Sequence, residues 1–250
     1  MTKPLVSILM ISFNNVQYLK QAIDSVVNQT YSNWELIVSD DGSTDGAWEL
    51  AQALAKKDKR IKTYRNEKNL GIPKNRKQAF DKSTGELIAH LDCDDVLFKY
   101  AIETMLEHFD QNPDAMLAQS DSVLIDSKNN VIQYVFSPYP DANLTNFGWR
   151  HFGMYRRKGY DTLAGYNTAL KSACEDGDLF MQFAEKYPFI KVPAVLYKHR
   201  WHDKNTSESN NKCVECKDRD KCNFIRVWAK HANIDHLTFK PLERTNEGNT

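Results

Sequence analysis

Along the first hundred residues, short apolar runs alternate with amphipathic stretches, and each run ends in a polar cluster. Leu5 to Ile11 is the first run, too short for a helix, and reads as a buried strand that passes into the turn Ser12-Phe13-Asn14-Asn15. Tyr18-Leu19, Ala22-Ile23 and Val26-Val27 then recur at helical spacing. Glu35 to Val38 is a second strand, ending in Ser39-Asp40-Asp41-Gly42-Ser43-Thr44-Asp45. There Ser43 or Thr44 is placed to cap a helix through Trp48, Leu50, Leu54 and Ala55. Ile61 to Tyr64 predicts a third strand, and Asn69-Leu70-Gly71-Ile72-Pro73 opens a helix through Phe80, with Pro73 in its first turn. Leu87 to Leu91 is the fourth strand. Alternation at this interval predicts right-handed βαβ crossovers and a parallel sheet covered on both faces, a Rossmann-like α/β arrangement.

The pattern changes in the second half. Ala101 to Phe109 is an amphipathic helix stopped near Asn112-Pro113. Ala115 to Ile125 and Val131 to Phe136 read as strands joined by the turn Ser127-Lys128-Asn129-Asn130. The sheet is therefore expected to be mixed here. Residues 138–174 read as loop-rich and aromatic, with Tyr139, Phe147, Trp149, Phe152, Tyr155, Tyr160 and Tyr166. Cys174-Glu175-Asp176-Gly177-Asp178 opens a helix, and Phe189 to Tyr197 is a last strand running into Lys198-His199-Arg200-Trp201-His202. One domain over 1–202 is expected, with a polar, cysteine-bearing extension over 203–250.

Composition narrows the class of protein. Apolar residues make up 41% and charged residues 26%, ordinary for a globular chain. Lys+Arg and Asp+Glu both number 33, so no global basic field exists and bulk electrostatic binding of nucleic acid is disfavoured. No apolar run approaches a membrane span. The first run imitates a signal peptide but lacks a small-x-small cleavage site, and five cysteines are an odd count. Together these predict a cytoplasmic setting with reduced thiols.

The chemistry gathers where strands end. Ser12-Phe13-Asn14, Asp40-Asp41 and Asp92-Cys93-Asp94-Asp95 all follow predicted parallel strands, and a doubly wound sheet brings such ends to one edge. Asp92, Asp94 and Asp95 are three acids within four residues, and their repulsion makes sense if a hard divalent cation shares them with substrate phosphates. A solvated acidic turn before a helix near Lys99 is the alternative. No Gly-x-Gly-x-x-Gly or Walker loop follows the first strand, so phosphates need another holder, such as a metal with arginine.

Several stretches in order resemble the family-2 glycosyltransferases: Val6-Ser7-Ile8 with Ser12-Phe13-Asn14-Asn15, Ser25 to Tyr31, and Trp34 to Asp45. The likeness continues through Asn69-Leu70-Gly71 with Arg76, Gly85-Glu86 with Leu91 to Asp95, and Glu175 to Leu179, covering roughly residues 4–202. The resemblance implies the GT-A fold, a nucleotide-diphosphate sugar donor, usually uridine-linked (UDP), and inversion at the anomeric carbon. It implies a nucleotide half over 1–97 and an acceptor half, taking a saccharide or glycoconjugate, over 98–202. Carried over by position, Phe13 stacks on the base, Asp41 bonds its edge, and Arg76 lies over the nucleotide or diphosphate. Asp92 touches the ribose side, Asp94 binds a Mn²⁺ or Mg²⁺ ion bridging the phosphates, and His202 approaches that ion or the diphosphate. Asp40 and Asp45 have the alternative of capping helices, and Asp178 that of supporting a helix start. An inverting transfer needs a carboxylate at the acceptor hydroxyl, and the resemblance favours Asp176 over Glu175. Lys77 stands where the family often has Asn, and Gln182 where it often has Arg.

Cys213-x2-Cys216-x5-Cys222 remains outside this pattern. Its spacing suits a structural Zn²⁺, with His199, His202 or His231 as a fourth ligand, or else leaves free thiols in a polar tail. Two rivals to the transferase reading are a sugar nucleotidyltransferase and a non-catalytic sugar- or partner-binding module. The first needs a glycine- and arginine-rich loop after the first strand; the second predicts loss of the base, yet Glu175, Asp176 and Asp178 are present.

Overall fold

Val6–Ser12 (β1), Trp34–Asp40 (β2), Ile61–Arg65 (β3) and Leu87–Asp92 (β4) lie side by side in a computed structural model of the chain, which describes residues 3–136, 152–170, 175–203 and 205. The four are parallel in the order β3-β2-β1-β4. The central side chains of β1, β2 and β4 are mostly apolar on both faces, because both are covered. Val6, Ile8, Met10, Leu36 and Val38 pack with helices α1 (Val16–Val27) and α2 (Ala47–Ala55). Leu9, Ile37 and Ile88 pack with α3 (Ile72–Asp81). The register sets Ser12 beside Asp40 and Ile11 beside Asp92, so three polar strand ends meet at one edge.

The sheet continues through the second half of the chain. Val96–Leu97 (β5), helix α4 (Ala101–Gln111), Leu117–Ile125 (β6) and Val131–Val135 (β7) come first. Gly153–Arg156 (β8), the short α5 (Arg157–Tyr160), α6 (Glu175–Lys186) and Phe189–Arg200 (β9) follow. The full order is β3-β2-β1-β4-β8-β6-β9-β5, with β7 on β6. β8 is antiparallel to both neighbours, whereas β6 and β9 are parallel, so this half is mixed as expected. Among the described residues no helix is long and apolar enough to cross a membrane.

Three expectations need correction. The stretch read as loop over 138–174 contains β8, which joins the two halves of the sheet by pairing Ile88 with Tyr155 and Leu117 with Tyr155. Its first residue is Gly153 because a Cβ there would overlap the ring of Phe180. The two-residue β5 is too short to leave a pattern in the sequence, and β9 runs past Tyr197 to Arg200. Ser43 and Thr44 do not cap α2: Ser43 Oγ accepts from Asn14 N–H at 2.9 Å, and Thr44 N–H donates to Asn14 Oδ1 at 2.8 Å. Asp45 takes the helix starts instead, accepting from Val16 N–H at 2.8 Å and Ala47 N–H at 3.1 Å.

At the opposite edge of the sheet a buried acid fastens the strands. Glu35 accepts from the Ser7 hydroxyl, the Thr84 N–H and hydroxyl, and the Lys62 ammonium at 2.6 Å. Burial alone would raise its pKa, but these donors, Lys62 foremost, hold it at about 2 against an ordinary 4.5. A depressed folded-state pKa gives stability that is present above the unfolded value and lost as pH falls through the folded one. Glu35→Gln is expected to lower the unfolding free energy at pH 7 by about 2–3 kcal/mol. It should also flatten the parent's loss of stability between pH 4.5 and about 2. Urea titrations across that range check both, and parent-like curves would sink the assignment.

Candidate active site

The nucleotide side is built from interlocked loops. Asn14, in a left-handed conformation with φ 49°, ties the loop after β1 to Ser43 and Thr44 and leaves the Phe13 ring about half exposed. Asp41 is buried, accepting from Leu70 N–H, Gly71 N–H and Asn66 Nδ2 at 2.8–2.9 Å. It thereby shapes the turn before α3, where Gly71 has φ 87° and ψ 158°, a region essentially confined to glycine. Asn75 supports both from below, donating to the Ser39 carbonyl at 2.9 Å and accepting from the Ser39 hydroxyl at 2.6 Å. The carboxylate of Asp40 bonds Ser43 N–H at 3.0 Å, and its Oδ2 is a buried oxygen with no partner among the described residues.

The acidic loop after β4 sends its three carboxylates in different directions. Asp92 points outward and pairs with Arg76 at 2.7 Å. Asp94 Oδ2 receives Asn15 Nδ2 at 3.1 Å and stands 3.0 Å from His202 Nε2. Asp95 turns inward, where it meets the Tyr197 hydroxyl at 2.6 Å, His199 Nδ1 at 3.2 Å and Arg200 N–H at 2.7 Å. Burial pushes Asp95 up to about 6 against the pull of His199; burial also opposes the charge of His199, but Asp95, Asp92 and Asp94 together raise its pKa. Burial likewise raises the Cys93 thiol well above its usual value.

Arg76 joins this loop to the first turn of α6. Its guanidinium is almost wholly buried, with Nη2 2.7 Å from Asp92 Oδ1 and Nε 3.2 Å from Glu175 Oε1. Burial opposes its charge, but Asp92 and Glu175 keep its pKa well above the ordinary value. Glu175 is buried, and burial followed by the charge of Asp176 pushes it up to about 7. Asp176 is partly exposed and accepts from Gly177 N–H at 2.7 Å; burial raises its pKa too, against the pull of Arg76. Asp178, in the same first turn, accepts from Gln182 Nε2 at 2.8 Å, and that amide also donates to the Gly165 carbonyl at 3.0 Å. Behind Arg76, His90 Nε2 lies 2.6 Å from the Tyr166 hydroxyl, which meets the Tyr155 hydroxyl at 2.9 Å. Burial lowers the His90 pKa well below its usual value, so it sits there neutral.

The fold therefore gathers Phe13, Asp41, Arg76, Asp92, Asp94, Asp176 and His202 at one edge, although Asp41 and Arg76 make extensive contacts within the protein. Asn15, Asn66 and Asn75 have no role assigned from sequence; Asn15 stands there only in a turn and in a family motif. Phe152, Tyr155, Tyr160 and Tyr166 are buried and pack, whereas Tyr139, Phe147 and Trp149 lie outside the described residues. Cys213, Cys216, Cys222 and His231 also lie outside them, and the other suggested zinc ligands, His199 and His202, face Asp95 and Asp94. Lys77 pairs with Asp81 at 2.6 Å on the exposed face of α3.

Several glycosyltransferases are similar to the chain in sequence or in fold. An uncharacterized glycosyltransferase of Haemophilus influenzae is 37% identical over 226 residues, covering 83% of this chain and 69% of its own length. Chondroitin synthase of Escherichia coli is 27% identical over 98% of this chain, which spans only 35% of that protein's length. A crystal structure of S. aureus TarS in complex with UDP-GlcNAc superposes with TM-score 0.72 at 19% identity, covering 93% of this chain and 68% of that one. A Pyrobaculum calidifontis mannosyltransferase in complex with GDP-Man and Mn²⁺ gives 0.68 at 15% identity, covering 94% and 66%. The shared architecture is the GT-A fold. Residues 7–173, well over half of the chain, match the sequence profile described as "Glycosyl transferase family 2", and with them the chain belongs to that family of glycosyltransferases.

Proposed function

We propose that the chain transfers a sugar from a nucleotide-diphosphate donor, UDP-linked, to a hydroxyl of a saccharide or glycoconjugate acceptor, inverting the anomeric carbon. The observation that carries this reading is the Asp92–Arg76–Glu175 bridge, with arms of 2.7 and 3.2 Å. It occupies Glu175 with Arg76 and leaves Asp176 as the more exposed carboxylate of the doublet. Phe13 offers a ring face to the base, and the remaining lone-pair capacity of Asp41 serves its edge. Asp92 borders the ribose. Residues 1–97 then form the nucleotide half and 98–202 the acceptor half.

The donor set also fits a divalent cation. Cis ligands of a six-coordinate ion stand about 3 Å apart when each is about 2.1 Å from the metal, and His202 Nε2 lies 3.0 Å from Asp94 Oδ2. Among the described residues no cluster of three His, Cys, Asp or Glu side chains is arranged to hold an ion unaided. Asp94 and His202 would hold it jointly with water and the donor's phosphates, as such ions commonly bind. A carboxylate beside an imidazole suits Mn²⁺ better than the harder Mg²⁺. When bound, the cation offsets charge on the departing diphosphate. Support comes from the relatives: TarS is seen with UDP-GlcNAc and the mannosyltransferase with GDP-Man and Mn²⁺.

Asp176 then accepts the proton of the acceptor hydroxyl as its oxygen attacks C1 opposite the leaving diphosphate. Its upward-shifted pKa makes it a better proton acceptor than an ordinary aspartate, and it must be ionised to act. Two variants separate the parts. Asp94→Asn keeps shape but removes charge; it should fold normally, lose Mn²⁺-dependent donor binding and lose nearly all transfer. Full activity in that variant would refute the cation assignment. Asp176→Asn should bind UDP donor and Mn²⁺ as the parent does yet transfer at least about 10²-fold more slowly. Isothermal titration with single-turnover kinetics checks this, and normal turnover there with a dead Glu175→Gln would reassign the base.

A further inference from the structure

Arg200, the last residue of β9, has no solvent exposure at all. Its guanidinium makes four hydrogen bonds, and every acceptor is a neutral oxygen. Nε donates to the Asp94 carbonyl at 2.7 Å and Nη1 to the Asp126 carbonyl at 3.2 Å. Nη2 donates to Gln21 Oε1 at 2.9 Å and Asn129 Oδ1 at 3.0 Å. The guanidinium carbon lies 4.6 Å from the centre of the Tyr18 ring. One side chain thus grips the acidic loop, helix α1 and the β6–β7 turn together. The turn is shaped to receive it: Asn129 is left-handed with φ 72°, and Gln21 Nε2 donates to its Oδ1 at 2.9 Å.

Burying a guanidinium against neutral acceptors is costly, and fastening a hairpin to a helix needs no charge. What arginine adds is a rigid planar fork that can meet separate partners at fixed angles. Its shortest bond goes to the backbone of Asp94, the residue whose carboxylate faces His202. We propose that Arg200 is a positioning residue for cation binding, fixing the Asp94 backbone from behind and so setting the aim of its carboxylate. This rests on the reading of Asp94 and His202 as cation ligands. A purely electrostatic role predicts the reverse effect, because a nearby positive charge repels the cation and its removal should tighten binding.

The test is Mn²⁺ titration, followed by the electron paramagnetic resonance of free Mn²⁺ with UDP present, on the parent, Arg200→Lys and Arg200→Gln. Lysine keeps the charge but loses the fork. Both variants should melt cooperatively well above the assay temperature and bind Mn²⁺ about 10-fold or more weakly, the usual effect of losing an outer-shell partner. Excess Mn²⁺ should restore their UDP binding, which a general loosening of the fold would not allow. Unchanged or tighter Mn²⁺ affinity in the folded variants overturns the role of Arg200 alone. A parent that binds no Mn²⁺ with UDP overturns the cation reading, and this inference with it. Should neither Arg200 variant fold, Gln21→Ala removes one anchor at an exposed position of α1; weaker Mn²⁺ binding there supports the role, and parent-like binding overturns it.

Discussion

Arg76 stands where acids from distant parts of the chain are forced together. Asp92 ends β4 and Glu175 begins α6, and the guanidinium between them turns repulsion into two ion pairs. A buried carboxylate with no such partner would take up a proton or drive the helix start away. With Arg76 in place, the first turn of α6 is pinned to the end of the parallel sheet. Asp176, next in sequence to Glu175, is thereby carried to the same edge as Phe13 and Asp94. That clamp sets where the start of α6 stands relative to the acidic loop.

The rest of the acidic edge is managed by giving each carboxylate its own partners. Asp94 is met by Asn15 from one side and His202 from the other, while Asp95 is turned away into a buried shell of Tyr197, His199 and the Arg200 backbone. Asp41, on the neighbouring strand, is neutralised by dipoles alone, through two backbone N–H groups and an amide. The consequence is a set of acids preorganised in fixed directions before any ligand arrives, the condition under which charged groups act most strongly on a reacting centre. The upward shifts of Glu175 and Asp95 are the cost, and such departures cluster at functional sites.

Stability is placed elsewhere. At the far edge of the sheet, Glu35 is surrounded by donors and held well below the usual carboxylate range, so its charge favours the folded state. The same residue type therefore does opposite things at the two ends of the strands. At one end a carboxylate is fully satisfied; at the other, carboxylates crowd one another around the site. A sheet with both faces packed can tolerate the second because the first, and the apolar strands between, hold the framework.

The sequence alone determined the parallel half of the fold and the edge where its chemistry gathers. Apolar runs bounded by turn residues are local signals, and β1 to β4 each follow from one, as does the convergence of Phe13, Asp41, Asp92 and Asp94 at their ends. Only the tertiary structure decided the rest. Four residues, Gly153–Arg156, carry no periodic signal and are a strand because β4 and β6 leave a slot for them. Whether Ser43 or Asp45 serves α2 depended on Asn14, 29 and 30 residues away from the groups it binds. Glu175 and Asp176 are adjacent acids that local pattern cannot tell apart, only the family resemblance; their different surroundings come from Arg76, 99 residues before Glu175. Propensity and pattern act over a few residues, whereas the partner of a buried charge is chosen by whatever the fold packs against it.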